Sequence, residues 1–381
     1  MRFFRSSEAK STSQPLVALS HLGDPDWMPR DSRTLAREGF ERNAIGYRCV
    51  RMIAEAAASV PMTLAAETPE DHPLKSLLQR PNPEQTGTEL LEAFFGHLQM
   101  SGNAYLEAVS LDGRPREIYT LRPDRMRAMK GPRGWPSGWI YRVGGEERRL
   151  LRQADGWSPV LHFKLFHPTD DYYGHAPLSS AAKAVDVHNS TAAWAKALIN
   201  NSARPSGALI YGRDGAQMTE TQYARLKEEL ERVHSGPSNA GRPLLLEGGL
   251  EWRPMGLSPS EMDFINARHD AAREIALAFG VPPMLLGVPG DNTYSNYKEA
   301  NLAFWRQTIL PLVEKAARAL SIWLGERFET PASLSLDLDK VPALSGERDA
   351  LWTRLREADF LDEAEKRAMA GLPPRAESAA T

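Results

Sequence analysis

Between residues 40 and 59, apolar side chains return every three or four positions. Phe40, Ala44, Tyr47, Val50 and Ala54 form one stripe, a period that predicts a helix. Ile45, Cys49, Ile53 and Ala56 fill a second face, so this helix is expected to be well buried, with Pro61 ending it. A second helix is expected from Thr86, which makes a capping-box pattern with Glu89. Leu90, Leu91, Phe94, Phe95 and Leu98 supply its stripe, and Gly102 stops it. Strand-like runs follow at Ala104–Val109, Glu117–Leu121, Trp139–Val143 and Val160–Phe166, separated by turn signals such as Asp112-Gly113 and Gly144-Gly145.

From Pro177 to about Ala203 the texture changes. Ala181, Ala182, Ala184, Ala192, Ala193, Ala195 and Ala197 recur, and after Pro177 no proline or glycine interrupts the run. This predicts a helix of roughly 40 Å that can approach its neighbours closely. An insert then reads strand (Ala208–Tyr211), helix (Glu220–His234), strand (Pro243–Leu246) and strand (Leu250–Pro254). A second long helix is expected over about Ser260–Phe279, striped by Phe264, Ala271, Ile275 and Phe279 and broken by Val281-Pro282-Pro283. Met284–Asn296 reads as a loop. Tyr297–Gly325 reads as a third long helix, kinked at Pro311. A strand at Ser333–Leu338 and helices at about Glu347–Ala358 and Asp362–Ala370 complete an α+β reading.

Composition narrows the class. The chain has 381 residues, which suggests two or three structural units. No run approaches the roughly 18–20 apolar residues that span a bilayer, and no apolar block follows Arg2, Arg5 and Lys10 to make a secretory signal. With Cys49 alone, no internal disulfide can form, which fits assembly in a reducing compartment. The net charge of −3 argues against a protein that grips nucleic acid by bulk charge. A conduit through which DNA slides would tolerate that balance, because every tight phosphate contact adds friction.

Candidate chemistry is sparse. His162, His167 and His175 lie near Asp170 and Asp171, and Asp337 is two residues from Asp339, so each group could hold a metal. The plainer readings are a strand end with a polar loop, and the polar face of a strand. Cys49 could be a nucleophile, but its neighbours Ile45, Met52 and Ile53 make it a small core residue. Trp135, Trp139 and Trp157 could stack bases or pack turns. There is no G-x-x-x-x-G-K-[ST], G-x-S-x-G, H-E-x-x-H or paired C-x-x-C run, so neither a packaging motor nor a familiar hydrolase is indicated. No catalytic residue, cofactor or metal is assigned.

Five short segments, in order and in register, resemble the portal proteins of the Hong Kong 97 type. They are Arg80-Pro81-Asn82-Pro83; Gly102-Asn103-Ala104-Tyr105; Asn200-Asn201-Ser202-Ala203-Arg204-Pro205-Ser206-Gly207; Ile275 through Gly287; and Thr293-Tyr294-Ser295-Asn296-Tyr297, entering a helix that reaches Thr308-Ile309-Leu310-Pro311. The resemblance covers about residues 40 to 374. Residues 1–38, polar and carrying Pro15, Pro25 and Pro29, read as a mobile arm with at most short local structure. The resemblance implies a wing at 39–175, stem helices at 176–205 and 258–280, and a clip at 206–257. It further implies a tunnel loop at 281–296, a second part of the wing at 297–344 with its kinked helix, and a short crown with a C-terminal tail at 345–381.

The family's role would make this chain one subunit of a ring, a dodecamer, at a capsid vertex of a phage or gene transfer agent. Double-stranded DNA would pass through without sequence specificity. The major capsid protein, the large terminase subunit and then a head–tail adaptor would be partners, with assembly in the bacterial host cytoplasm and no membrane. In the tunnel loop, Asp291, Asn292, Thr293, Tyr294, Ser295 and Asn296 would face the DNA, mostly as neutral hydrogen-bonding groups. In the clip, Arg213, Arg225, Lys227, Glu228, Glu231 and Arg232 would form the docking surface. Two rival readings are a tail or baseplate connector that never meets DNA, and a capsid-associated enzyme, for which no nucleophile–base set is found. Two long helices bracketing a compact insert bury little surface alone, so sister copies are expected to buttress them, through the alanine-rich faces.

Overall fold

The computed structural model describes residues 31–65, 68–131, 135–200, 207–210, 251–254, 263–290 and 293–371, with a few positions between 219 and 228. The chain opens with α1 (Ser32–Leu35), capped by the Asp31 carboxylate, and a π-helical turn at Ala36–Glu41. So in the described part of the expected arm, 32–38 is helical, and Leu35 is buried. The buried helix α2 (Ala44–Ser59) begins four residues after Phe40 because Asn43 turns extended and caps it, its Oδ1 accepting from the Ile45 and Gly46 amides. A short strand β1 (Met62–Leu64) and α3 (Pro73–Gln79) lead to α4 (Gly87–Ser101). The capping box of Thr86 and Glu89 is present, and Gly102 ends the helix in the left-handed region, where a Cβ would meet the backbone of Gly174 and His175.

Two antiparallel three-stranded sheets follow. One, ordered β3-β2-β7, joins β2 (Asn103–Leu111), β3 (Arg114–Leu121) and β7 (Val160–Lys164). The other, ordered β4-β5-β6, joins β4 (Met126–Lys130), β5 (Pro136–Val143) and β6 (Glu146–Leu151). Central strand β2 is buried without interruption from Asn103 to Ala108 because both of its faces are covered. Ala104, Leu106 and Ala108 join the main core with α2 and α4, while Tyr105 joins a second core with Trp139, Leu121 and Val160.

The alanine-rich run forms α5 (Pro177–Ser180) and α6 (Ala182–Asn200), with a single turn residue between them. Strands β8 (Gly207–Ile210) and β9 (Glu251–Pro254) pair antiparallel at the base of the insert. The expected strand 243–246 and most of the helix 220–234 lie outside the described residues. Helix α7 (Phe264–Phe279) returns along α6. Then α8 (Tyr294–Phe304), a π-helical turn at Trp305–Ile309 and α9 (Leu310–Gly325) run in succession. The expected kink is thus a π turn placed just before Pro311, whose missing N–H prevents a regular helix there.

Strand β10 (Leu334–Leu336) pairs with β1, and α10 (Ser345–Glu357) and α11 (Glu363–Met369) end the described chain. The loop carrying Trp157 is locked to α9. Trp157 Nε1 donates to Trp323 O at 2.9 Å, Trp323 Nε1 donates to Ser158 O at 2.8 Å, and Arg327 lies 4.3 Å over the Trp157 ring.

Candidate DNA-channel segment and docking hairpin

Helices α6 and α7 form a hairpin whose root and tip differ. At the root, Ala181, Ala182, Ala184 and Val185 of the α5–α6 run and Ala271, Ile275 and Phe279 of α7 all enter the main core. This corrects the expectation for the alanines: the first three pack inside the subunit, where their small size lets α6 sit close to the body, and only Ala193 and Ala197 are exposed. Beyond Thr191 on α6, and before Ala271 on α7, no described residue is buried. The projecting part is held by Trp194 stacked on Phe264, ring centroids 4.0 Å apart. Ile265 is 72% exposed and Leu277, nearer the root, 78%.

A polar node pins this root. Asn43 Nδ2 donates to Asn189 Oδ1 at 2.8 Å and lies 3.2 Å from His188 Nδ1, while Asn189 Nδ2 donates to Glu38 O at 3.0 Å. Arg268 Nε of α7 lies 3.4 Å from His188 Nε2. Burial and the Arg268 charge hold the His188 imidazole below its usual range, so it stays neutral in the node.

The connection after α7 is fixed at both ends. Gly280 caps α7 in the left-handed region, and its carbonyl accepts from Thr308 Oγ1 at 2.7 Å, while Val281 and Val288 are buried. Pro283–Leu286 forms a 3-10 turn, and Arg273 donates to Pro289 O at 2.8 Å. The expected long loop is therefore shorter. Thr293 caps a helix through its hydroxyl, which accepts from the Asn296 amide at 3.2 Å, so Tyr294, Ser295 and Asn296 form the first turn of α8. Residues 293–299 are all exposed, Tyr294 at 88%. Asp291 and Asn292 lie outside the described residues. Sequence reasoning missed the anchors Thr308 and Arg273; Gly280 at a helix end was the one signal pointing to them.

Of the expected docking set, Arg225 and Glu228 are helical and exposed; Arg213, Lys227, Glu231 and Arg232 lie outside the described residues or have undescribed side chains. The alternative chemistries resolve into structural roles. His162 stacks on Tyr105 with centroids 4.5 Å apart and donates through Nε2 to Asn103 Oδ1 at 2.9 Å; burial pushes its pKa down to about 3. Asp170 accepts from the Tyr172 and Tyr173 amides. Asp337 pairs with Lys340 and Asp339 with Arg348, and both follow a strand that ends earlier than expected, at Leu336. No metal-competent cluster occurs among the described residues. Burial raises the Cys49 thiol to about 12, which leaves it protonated and unreactive. Trp139 is buried and Trp157 engaged with Trp323, so neither presents a face to a base.

This combination of a mixed α/β body, a projecting helical hairpin and a broken long helix is the portal fold. A chain in the neck of an empty gene transfer agent particle, computed with sixfold symmetry, shares it with a TM-score of 0.73; it is 52% identical and the match covers 93% of this chain and 96% of that one. A chain in the native particle's neck, computed with twelvefold symmetry, matches with a TM-score of 0.71 and 52% identity over 93% of this chain and 97% of that one. At 15% identity, an HK97-family phage portal protein from Corynebacterium diphtheriae shares the fold alone, with a TM-score of 0.59 over 83% of this chain and 99% of that one.

Residues 44–371 match the phage portal protein family, and the chain belongs to that family. A protein of Rickettsia bellii (strain RML369-C) is 40% identical over 340 residues, 88% of each chain. The portal protein of Enterobacteria phage HK97 is 26% identical over 326 residues, 82% of this chain and 72% of that one.

Proposed function

We propose that twelve copies of this chain form a ring at one capsid vertex and that double-stranded DNA passes through its axial hole during packaging and ejection. The observation that carries this reading is the α6–α7 hairpin. Its outer half has no buried side chain among the described residues, yet it exposes Ile265. Such a strut gains little from hydrophobic burial in a lone subunit, and a cyclic array of neighbours supplies the missing contacts. In this reading the hairpin is the stem, residues 206–257 the clip, residues 39–175 and 297–344 the wing, and 345–381 the crown.

The exposed first turns of α8 would face the hole. Thr293, Ser295 and Asn296 offer neutral hydrogen-bonding groups and Tyr294 a broad amphipathic ring; these touch a phosphate backbone without reading bases or binding it tightly. The clip, with Arg225 and Glu228 among its charged residues, would dock the large terminase subunit and then a head–tail adaptor, while the wing would meet the major capsid protein. The role calls for no catalytic residue and no cofactor. Assembly would take place in the cytoplasm of the bacterial host.

Replacing Tyr294 and Asn296 together by alanine tests the channel assignment. Both side chains face the hole in this reading, so rings should form as before and the amount of nuclease-protected DNA per particle should fall. Packaging at the unaltered level would contradict the assignment.

A further inference from the structure

One cleft lies apart from the hairpin and the channel segment. It has a volume of about 410 Å³ and is walled by α3, the start of β3 and the segment 328–330. Its lining is apolar at Leu77, Pro115 and Phe328 and basic at Arg80, Arg114 and Arg116. Among the described residues neither the Arg80 nor the Arg116 guanidinium has an ion-pair or hydrogen-bond partner.

The walls are fixed by buried hydrogen bonds. The Ile118 amide donates to Pro81 O at 2.7 Å, and buried Asn82 donates back through Nδ2 to Ile118 O at 2.9 Å. The turn that follows α3 is thereby stitched to β3, and Arg80, one residue before that turn, is brought to the same cleft as Arg116. On the far side, His72 caps α3 through Nδ1 and donates through Nε2 to Thr330 O at 2.9 Å, while its ring meets Phe328 edge-on. Arg80-Pro81-Asn82-Pro83 is one of the segments that the channel reading leaves without a task. Its proline and asparagine hold the turn, and its arginine faces the cleft.

We propose that this cleft binds an acidic peptide segment of a partner protein, with a carboxylate held by Arg80 and Arg116 and an apolar side chain against Leu77 and Phe328. Guanidiniums suit carboxylates because two parallel N–H donors match the two carboxylate oxygens. The apolar lining of Leu77, Pro115 and Phe328 favours a peptide over DNA, and Glu329 adds no free charge. It sits on the rim, paired with Arg114 and 80% exposed. That pair neutralises Arg114, so the free positive charge is confined to Arg80 and Arg116, a pair that suits one carboxylate of a short peptide. The apolar lining offers a phosphodiester backbone nothing. This site is independent of the channel reading and stands whether or not DNA passes through the ring.

The test uses the full-length assembled protein and a fluorescein-labelled peptide of alternating glutamate and leucine, titrated by fluorescence anisotropy at low salt. The peptide should bind, and a lysine–leucine peptide should not. Arg80→Glu with Arg116→Glu should weaken binding by about tenfold or more, as expected for loss of a charge-assisted pair. Arg318→Glu, on an exposed face of α9, should leave it unchanged. If the double charge reversal disturbs assembly, Arg80→Gln with Arg116→Gln serves in its place and should weaken binding in the same direction. Equal binding by wild type and an intact cleft variant would overturn the proposal. So would no peptide binding, or a short duplex DNA that binds in an Arg80- and Arg116-dependent manner and displaces the peptide.

Discussion

Asn43 caps α2 with its side-chain oxygen and holds His188 and Asn189 of α6 with its side-chain nitrogen. Both ends of a buried amide are therefore in use, and its removal strands partners on two elements. Asn43→Ala should lower stability by about 1–2 kcal/mol, the usual cost of a lost cap, read from urea unfolding; an unchanged midpoint would contradict this role. The histidines make a second residue-scale prediction. Burial pushes His97 down to about 4 and His162 down to about 3. Their folded values lie below the unfolded value near 6.5, so the unfolded chain takes up protons first as pH falls. The stability they contribute is whole above about pH 6.5 and drains away toward their folded values, about 2 kcal/mol for each by pH 5. Urea midpoints measured at pH 7 and pH 5 should show the loss. The sequence made His162 a possible ligand because it lies near two other histidines in the chain. Pairing of β2 with β7 instead places it opposite Tyr105, a fact of register that spacing alone does not carry.

Elements with their own local signals were legible. The Thr86–Glu89 pair fixed the start of α4 and Gly102 its end, because both act within a few residues of chain. Strand β6 was missed: Glu146-Glu147-Arg148-Arg149-Leu150-Leu151 has no alternation, since only Leu150 is buried and the rest lies on an exposed sheet edge. Strand β4 was missed too, being short and edged by arginine and lysine. Pro311 signalled a break, but a proline cannot say whether the helix bends or widens. The π turn fits the tertiary contacts it serves, with Ile309 fully buried, Thr308 bonded to the end of α7 and Arg306 paired with Glu347 of α10. Gly280→Ala tests that junction. The added Cβ would lie 2.9 Å from Thr308 Oγ1 at a φ of 67°, so the variant should lose roughly 1–2 kcal/mol of thermal stability. Wild-type melting would show that the junction can yield.

At the scale of the molecule, the sequence conveyed the order of helices and strands, though several of the long helices start late or are broken into segments. It did not show that the alanines at the root of α6 serve the subunit's own core, because an alanine-rich face suits an internal helix and a neighbour's helix equally well. What distinguishes the two is where burial stops, after Thr191 on one strand of the hairpin and before Ala271 on the other. Past those points Ile265 is left exposed in the lone subunit, where burial against a neighbour would be favourable. Ile265→Asp should therefore leave helix content and melting of the subunit unaltered while preventing rings, as scored by light scattering after size exclusion. Rings of unchanged mass would place the subunit interface elsewhere.

The central claim is that the projecting hairpin is completed by sister copies around a hole lined by the start of α8. Single-particle images of the purified full-length chain test it most directly. The account predicts a ring with an axial opening, α6–α7 hairpins packed side by side, and residues 293–299 at the inner wall. A monodisperse monomer at high concentration, or an assembly whose centre is closed or lined by other residues, would contradict it.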